Sequence, residues 1–294
     1  MTRVFISSKI DSFPTLAARY MAAHSDHFDS GMAAARYLNL IFFPPSRRWR
    51  YQLNGKSGTT FVLNLLFEIE YGCRFTAQVD PAMTGNQHPD FAVFQLPHSG
   101  LLANAIEAGD SVEDINTFAG LSLATVRNPW TRILSAFFYL CRSHEIGDKR
   151  FLAERIRLNA LCRFDWDADR NTATGFAKFV DYIDIMTKEL GVDSLDAHWL
   201  PQARHIRPDL YRPTILGRTE NLRAFSDALQ DALHVEKRVA LDALRGNKQK
   251  GSKKDISNFF AQPRTKTTIR KLYEEDFDIF KYSSQPPFQL KSNS

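Results

Sequence analysis

A glycine-bracketed turn stands between a short strand pattern and an apolar helix pattern near the start of the chain. Residues 50–53 predict the strand, residues 54–58 (Asn-Gly-Lys-Ser-Gly) the turn, and residues 59–67 the helix. Glycines let the backbone turn with its N–H groups pointing inward. The start of a helix adds about half a positive charge. A strand–turn–helix unit of this kind indicates an α/β fold with an anion-binding turn.

The same stretch supplies candidate binding residues. Lys56 places a mobile positive charge over the turn, and two threonines suit a helix N-terminus, where their oxygens satisfy unpaired amides. We interpret the turn as a site for the terminal anionic group of a nucleotide. The candidate residues are Gly55, Lys56, Ser57, Gly58, Thr59 and Thr60.

The spacing differs from that of a P-loop NTPase. Gly-Lys-Ser is present, but Arg50 stands where that motif has its first glycine. A later apolar strand pattern, residues 121–126, is followed by Arg127 instead of an acidic residue that would hold magnesium. The pattern therefore predicts a second anion site and no metal.

The segment around Arg127 forms the second motif. Asn128 is a good N-cap and Pro129 a good first helical residue. Arg127 is then expected at the end of a strand, beside a second helix N-terminus. Ser135 lies three residues after Arg132, on the same helix face. An arginine fork and a hydroxyl together can hold a phosphate.

Length and composition are those of a globular protein with one sizeable domain or at most two. The chain has 294 residues, 44% of them hydrophobic and 24% charged, and a modest net charge of +5. Its basic residues are spread unevenly, which favours polyanionic partners. Three cysteines at 73, 141 and 162 show no metal or redox spacing, which fits a reducing compartment. We expect no secretion signal and no transmembrane segment.

The remaining pattern gives an order of elements. Residues 1–48 are expected to form a helical appendage, with helix between 13 and 40. Residues 75–79 and 91–96 are predicted strands, and His98 follows the second one. Because ligands bind at the carboxyl ends of strands in open α/β sheets, His98 is a candidate general base for an acceptor hydroxyl. Further predictions are helices at 151–164, 174–190, 220–233 and 265–277, a strand at 214–218, and a disordered tail at 284–294.

Five motifs in this order resemble the PAPS-dependent sulfotransferases, and most closely the carbohydrate branch with the chondroitin and uronyl 2-O-sulfotransferases. The resemblance covers roughly residues 50–282. It implies a P-loop-like three-layer sandwich, with a central, mostly parallel sheet flanked by helices, in a single domain at 49–283. The motifs lie at 55–60, 127–136, 198–202 (His-Trp-Leu-Pro-Gln), 216–222 and 269–282.

The resemblance also implies roles for individual residues. Lys56 and the turn 55–60 would hold the 5′ end of the donor PAPS, while Arg127 and Ser135 would hold its 3′-phosphate. The basic stretch 245–254 matches a loop that closes over the nucleotide in this family. Its candidate donor contacts are Lys250, Ser252 and Lys253.

The expected reaction is in-line transfer of the sulfuryl group to a hydroxyl, with adenosine 3′,5′-bisphosphate as product. The expected acceptor is a glycan or glycolipid. Lys56 and His98 are the predicted catalytic residues, and no metal is required. The family's Pro-Lys start of the turn, its Golgi anchor and a cysteine after Gln202 are all missing, which suggests a bacterial-type cytoplasmic enzyme. No nucleic-acid partner is expected, peripheral membrane contact is compatible with the sequence, and the oligomeric state is open.

Two other functions remain alternatives. A degenerate P-loop nucleotide kinase would use ATP and magnesium. A non-catalytic polyanion-binding protein would bind heparin-like polymers with a steep salt dependence and would ignore the bisphosphate nucleotide.

Overall fold

The computed structural model describes residues 13–77, 92–96, 99–244 and 256–287. Within these ranges the chain divides into two compact units. The first unit contains residues 13–77, 92–96, 99–126 and 204–244, and the second contains 127–203 and 256–287.

The strands are β1 Ile41–Phe43, β2 Trp49–Gln52, β3 Ala103–Asn104, β4 Leu121–Val126 and β5 Ile215–Arg218. The helices are α1 Phe13–Ala23, α2 Gly31–Asn39, α3 Thr59–Tyr71, α4 Ala105–Ala108, α5 Val112–Asn116, α6 Pro129–Glu145, α7 Leu152–Cys162, α8 Ala173–Leu190, α9 Gln202–Ile206, α10 Pro208–Tyr211, α11 Leu222–Ala232, α12 Leu241–Leu244, α13 Pro263–Leu272 and α14 Glu274–Ile279. Short 3-10 turns lie at Ala92–Gln95, Lys149–Phe151, Val192–Ser194, Thr219–Asn221 and Ser257–Phe260.

One sheet organises the first unit. Its strand order is β3-β1-β2-β4-β5. β2 and β4 pair in parallel, as do β4 and β5, while β1 is antiparallel to both of its neighbours. The parallel register places Gln52 beside Ala124 and Val126 beside Arg218. The carboxyl ends of β2, β4 and β5 therefore meet at one edge. The predicted mixed α/β class is confirmed, and the three-layer sandwich stays a prediction.

The core of the first unit lies between the sheet and apolar helix faces. Trp49, Tyr51 and Leu123 from the strands form one buried cluster with residues of α3 and α11, such as Leu66 and Leu229. Burying such side chains stabilises the fold by about 1.5–3 kcal/mol each. α3 ends at Gly72, whose φ of 68° is readily adopted only by glycine.

Arg50 is buried in the middle of β2. Its guanidinium donates to the Ser122 hydroxyl at 2.7 Å and to the Ile115 carbonyl at 2.6 Å. It also lies 4.8 Å from the centre of the Tyr211 ring. At the position where a P-loop NTPase has its first glycine, this chain therefore has a structural arginine that ties the strand to its surroundings.

The second unit has an aromatic core. Trp130 and Phe137 of α6 pack in one cluster with Phe179 of α8, and Trp199, which follows α8 in the chain, is equally buried there. Tyr273, between α13 and α14, donates its hydroxyl to the Trp199 carbonyl at 2.7 Å. The C-terminal helices are thus part of this core.

Most predicted elements are confirmed. The strands at 121–126 and 214–218 and the helices at 151–164, 174–190 and 220–233 all form, with ends shifted by a few residues. The helix expected at 265–277 is divided at Tyr273, which has a φ of −118°.

Other expectations differ from the structure. Residues 92–95 form a 3-10 turn instead of a strand, because Val93 and Leu96 bury their side chains in the first core while Phe94 stays partly exposed. Residues 75–77 form no strand, and residues 78 and 79 lie outside the described ranges. In the expected N-terminal appendage, the helical segment is broken into α1 and α2, and residues 41–43 join the sheet as β1.

Candidate functional site

The turn after β2 is closed by a backbone hydrogen bond from the Ser57 N–H to the Asn54 carbonyl at 3.3 Å. Positive φ angles occur at Lys56 (64°) and Gly58 (80°). The sequence predicted that both glycines would provide this flexibility, but the left-handed position between them belongs to Lys56 rather than to Gly55. A non-glycine residue in this region costs on the order of 1–3 kcal/mol, and such strain is concentrated at functional sites.

Asn54 anchors this turn to the neighbouring strand. Its side chain is fully buried, and its amide nitrogen donates to the Ser57 hydroxyl at 3.0 Å and to the Thr125 carbonyl at 2.9 Å. The turn is therefore held at the carboxyl end of β4. Sequence reasoning assigned Asn54 no role, although an asparagine before a glycine is a typical turn signal.

The start of α3 differs from the expectation. The N-cap is Gly58, which offers no side-chain cap, and the Thr59 hydroxyl donates to the Asn54 carbonyl at 2.8 Å instead of accepting from a helix amide. Ser57 and Thr59 are buried, whereas Gly55, Lys56 and Thr60 are partly exposed. The partly exposed residues of the predicted anion cradle are therefore its two glycines, the lysine and Thr60.

Gly58 also lies close to the end of β5. A Cβ atom at this position would approach the Thr219 methyl group to 3.2 Å, and the positive φ adds strain for any other residue. The Thr219 hydroxyl is buried and has no hydrogen-bond partner in the part of the chain that the structure describes. A larger residue at 58 would require the Thr219 side chain or the turn to shift by a few tenths of an ångström.

Arg127 directly follows β4, as predicted, and belongs to the second unit. Asn128 caps α6 by accepting from the Trp130 N–H at 3.0 Å, and Pro129 is the first helical residue. The Arg127 Nε donates to the Thr131 hydroxyl at 3.0 Å. The guanidinium of this half-exposed arginine is thereby oriented by the first turn of the helix.

Gln202 holds the backbone of Arg127. Its Oε1 accepts from the Arg127 N–H at 2.8 Å, and its Nε2 donates to the Arg127 carbonyl at 2.9 Å. Gln202 is fully buried. Gln202 belongs to the motif at 198–202, but the sequence did not indicate its role, because its partner is 75 residues away.

Ser135 and Arg132, placed on one helix face by their spacing, have different surroundings. Ser135 is partly exposed, whereas Arg132 is buried and donates to the Leu200 carbonyl at 2.9 Å and the Ala197 carbonyl at 3.1 Å. Burial lowers the pKa of Arg132. Arg132 is therefore a structural residue, and Ser135 stays a candidate for ligand contact.

Four predicted site residues lie outside the described ranges: His98, Lys250, Ser252 and Lys253. Their roles remain predictions.

The described part of the chain contains neither a metal-binding cluster nor a membrane-spanning helix. Over residues 13–77, 92–96, 99–244 and 256–287, no three His, Cys, Asp or Glu side chains are grouped so that they could hold a metal ion. None of the helices within the same ranges has the length and apolar character needed to cross a membrane.

The first unit is thus a mixed α/β fold in which the turn with Lys56 and the start of α3 follow the carboxyl end of β2. A family model described as the sulfotransferase family matches residues 84–283, about two thirds of the chain. The protein therefore belongs to the sulfotransferase family, whose activity is sulfuryl transfer. The match contains Arg127, Ser135 and Gln202 but begins after the turn at 54–58. No curated protein and no solved structure matches the chain significantly.

Proposed function

We propose that the protein transfers the sulfuryl group of PAPS to a hydroxyl group of an acceptor. The acceptor oxygen forms the new bond to sulfur while the bond from sulfur to the 5′-phosphate oxygen breaks. The acceptor proton passes to a base, and adenosine 3′,5′-bisphosphate leaves with the electron pair. Family membership supports sulfuryl transfer, and the identity of the donor is our inference from the residues of the site.

The observation behind this proposal is that two adjacent parallel strands are each followed by groups suited to an anion. After β2 comes a turn with Lys56 in a strained conformation, anchored by the buried amide of Asn54. After β4 comes Arg127, anchored by the buried amide of Gln202. Both positions are thus anchored by buried hydrogen bonds, and at Lys56 such preorganisation suits the stabilisation of a developing charge.

Each residue then has a defined task. Lys56 and the amides of the turn would neutralise the charge that develops on the leaving 5′-phosphate. Arg127 and Ser135 would bind the 3′-phosphate, with Lys250, Ser252 and Lys253 as further donor contacts. His98 would accept the proton of the acceptor. A P-loop-like three-layer sandwich is the architecture that we propose for this site.

The division of tasks can be tested by removing phosphates from the ligand and side chains from the protein in parallel. Isothermal titration calorimetry would compare adenosine 3′,5′-bisphosphate with 5′-AMP, which lacks only the 3′-phosphate. Hydrogen bonds to a charged group contribute about 1.5–3 kcal/mol, so wild-type protein should prefer the bisphosphate by roughly 10- to 100-fold. Arg127→Ala should remove this preference.

Lys56→Ala is the matched control, because it should lower the affinity for both nucleotides by a similar factor and keep the preference for the bisphosphate. A bisphosphate preference that survives in Arg127→Ala would contradict the assignment. Tighter binding of ATP–Mg²⁺ than of the bisphosphate by wild-type protein would instead favour a nucleotide kinase.

A carbohydrate is the acceptor class that we propose, because the motifs at 127–136 and 198–202 resemble those of the carbohydrate branch. Incubation with ³⁵S-labelled PAPS and a panel of glycans, glycolipids, phenols and small alcohols would identify the acceptor. Label transfer to phenols alone would contradict this part of the proposal.

A further inference from the structure

The side chain of Gln202 pairs with the backbone of Arg127, the residue that directly follows β4. The strand ends at Val126, and the Gln202 amide then bonds both the N–H and the carbonyl of Arg127, as an adjacent strand would. Both backbone polar groups of Arg127 are therefore held by one side chain. A shift of Gln202 would shift the origin of the Arg127 side chain with it.

Asp276 on α14 determines which way the Gln202 amide points. Its fully buried carboxylate accepts from the Gln202 backbone N–H at 3.0 Å, from Gln202 Nε2 at 3.2 Å and from the Ala203 N–H at 2.7 Å. A carboxylate can only accept, so the nitrogen of the Gln202 amide must face Asp276. The Gln202 oxygen is then left to receive the Arg127 N–H.

The electrostatic surroundings of Asp276 are mixed. Burial raises the pKa of Asp276, while the charge of Arg132 and the hydrogen bonds from Ala203 and Gln202 lower it. Protonation of Asp276 would turn one of its acceptor oxygens into a donor, opposite N–H groups that need an acceptor. A buried carboxylate of this kind is weak evidence for stability but can select one arrangement of its partners.

We propose that Gln202 and Asp276 are positioning residues for the donor nucleotide. They hold the backbone of Arg127 so that its guanidinium meets the 3′-phosphate, and neither of them touches the nucleotide. The inference rests on the proposed function, which assigns the 3′-phosphate to Arg127. It gives the C-terminal helix α14 a task in donor recognition, although Asp276 and Gln202 are 74 residues apart.

Gln202→Met keeps the side-chain length but removes the donor and the acceptor. Gln230→Met is the matched control, since Gln230 is also buried and its amide bonds the Ser226 hydroxyl at 2.9 Å and the Val239 N–H at 2.7 Å. Both variants should lower the melting temperature. Only Gln202→Met should weaken the binding of adenosine 3′,5′-bisphosphate, by at least about tenfold, because a misplaced Arg127 guanidinium would lose its hydrogen bond to the charged 3′-phosphate. The affinity for 5′-AMP should change little.

Asp276→Asn replaces acceptor capacity with a donor and should cause the same selective loss of affinity. Both residues act through one chain of hydrogen bonds. The double variant that combines Gln202→Met with Asp276→Asn should therefore bind the bisphosphate no more weakly than Gln202→Met alone. Fully additive losses in the double variant would overturn the proposal.

Hydrogen exchange of the Arg127 amide gives a readout that does not require nucleotide binding. This amide should be protected in wild type and in Gln230→Met, and should exchange faster in Gln202→Met. Unchanged discrimination between the two nucleotides in Gln202→Met would refute the positioning role. Absence of bisphosphate binding by the wild-type protein would refute the proposed function itself. The exchange data would still decide whether Gln202 holds the backbone of Arg127.

Discussion

Replacing Lys56 with glycine should separate the charge of this residue from its backbone conformation. Lys56 has a φ of 64°, and the left-handed region costs a non-glycine residue on the order of 1–3 kcal/mol. The greater freedom of glycine in the unfolded chain offsets about 0.4–1 kcal/mol of the gain. We therefore expect Lys56→Gly to be more stable than wild type by about 1 kcal/mol, or about 2 °C in melting temperature.

The same variant should be almost inactive. The ammonium group would no longer stabilise charge on the leaving phosphate, and loss of a preorganised group of this kind costs about 10²–10³ in turnover. The assay is transfer of ³⁵S from PAPS to the acceptor found in the panel, next to differential scanning calorimetry of the same preparations. A gain in stability together with a loss of activity is the specific signature, because most damaging substitutions lower both.

Lys281 provides the control. It is an exposed lysine with a φ of 54°, and no role in the site is assigned to it. Lys281→Gly should give a similar gain in stability with unchanged transfer. The reasoning is refuted if Lys56→Gly retains more than about a tenth of wild-type turnover, since that would leave no room for a preorganised charge. Lower stability of Lys56→Gly would show that the lysine conformation is not strained.

The remaining predictions concern the anchors, the arginine and the thiols. Asn54→Ala should lower the free energy of unfolding by about 1–3 kcal/mol in urea, because the buried Thr125 carbonyl loses its donor. A loss below a few tenths of a kcal/mol would mean that water replaces the amide as the donor. Arg127→Ala should raise the KM for PAPS more than it lowers kcat, and an equal loss in both would place Arg127 at the reacting atoms instead. Burial raises the pKa of Cys141 to about 11, so at pH 8 a disulfide reagent should modify the exposed Cys73 rapidly and Cys141 only on unfolding; loss of the rapid phase in Cys73→Ser checks this assignment.

Local signals predicted much of this fold. The strand at 121–126, the cap at Asn128 and the proline at 129 were read from a few neighbouring residues, and all three are confirmed. Capping succeeds because it depends on groups that are close in the chain. The strand was recognisable because a mostly apolar run of this length is typical of a buried parallel strand, although its pairing partners lie far away in the chain. The strand prediction at 91–96 failed because five apolar residues among six show no period that separates a strand from a buried turn.

The anchors of the candidate site could not be predicted in this way. Asn54 bonds Thr125 across 71 residues, and Gln202 bonds Arg127 across 75. The partner of a glutamine or asparagine cannot be read from the sequence, because the side-chain amide can bond any backbone group that the fold brings within about 3 Å. The left-handed conformation of Lys56 was missed for a related reason, since the intrinsic preference of lysine opposes it and only the closed turn imposes it.

The sequence by itself determined which chemistry this protein can offer: a lysine in a turn before one helix and an arginine before another. The tertiary structure decided how those groups are held, through the buried amides of Asn54 and Gln202, whose backbone partners Thr125 and Arg127 lie 71 and 75 residues away in the chain. The physical reason is that hydrogen bonds between distant residues form only where folding has already placed a donor opposite an acceptor and removed the competing water.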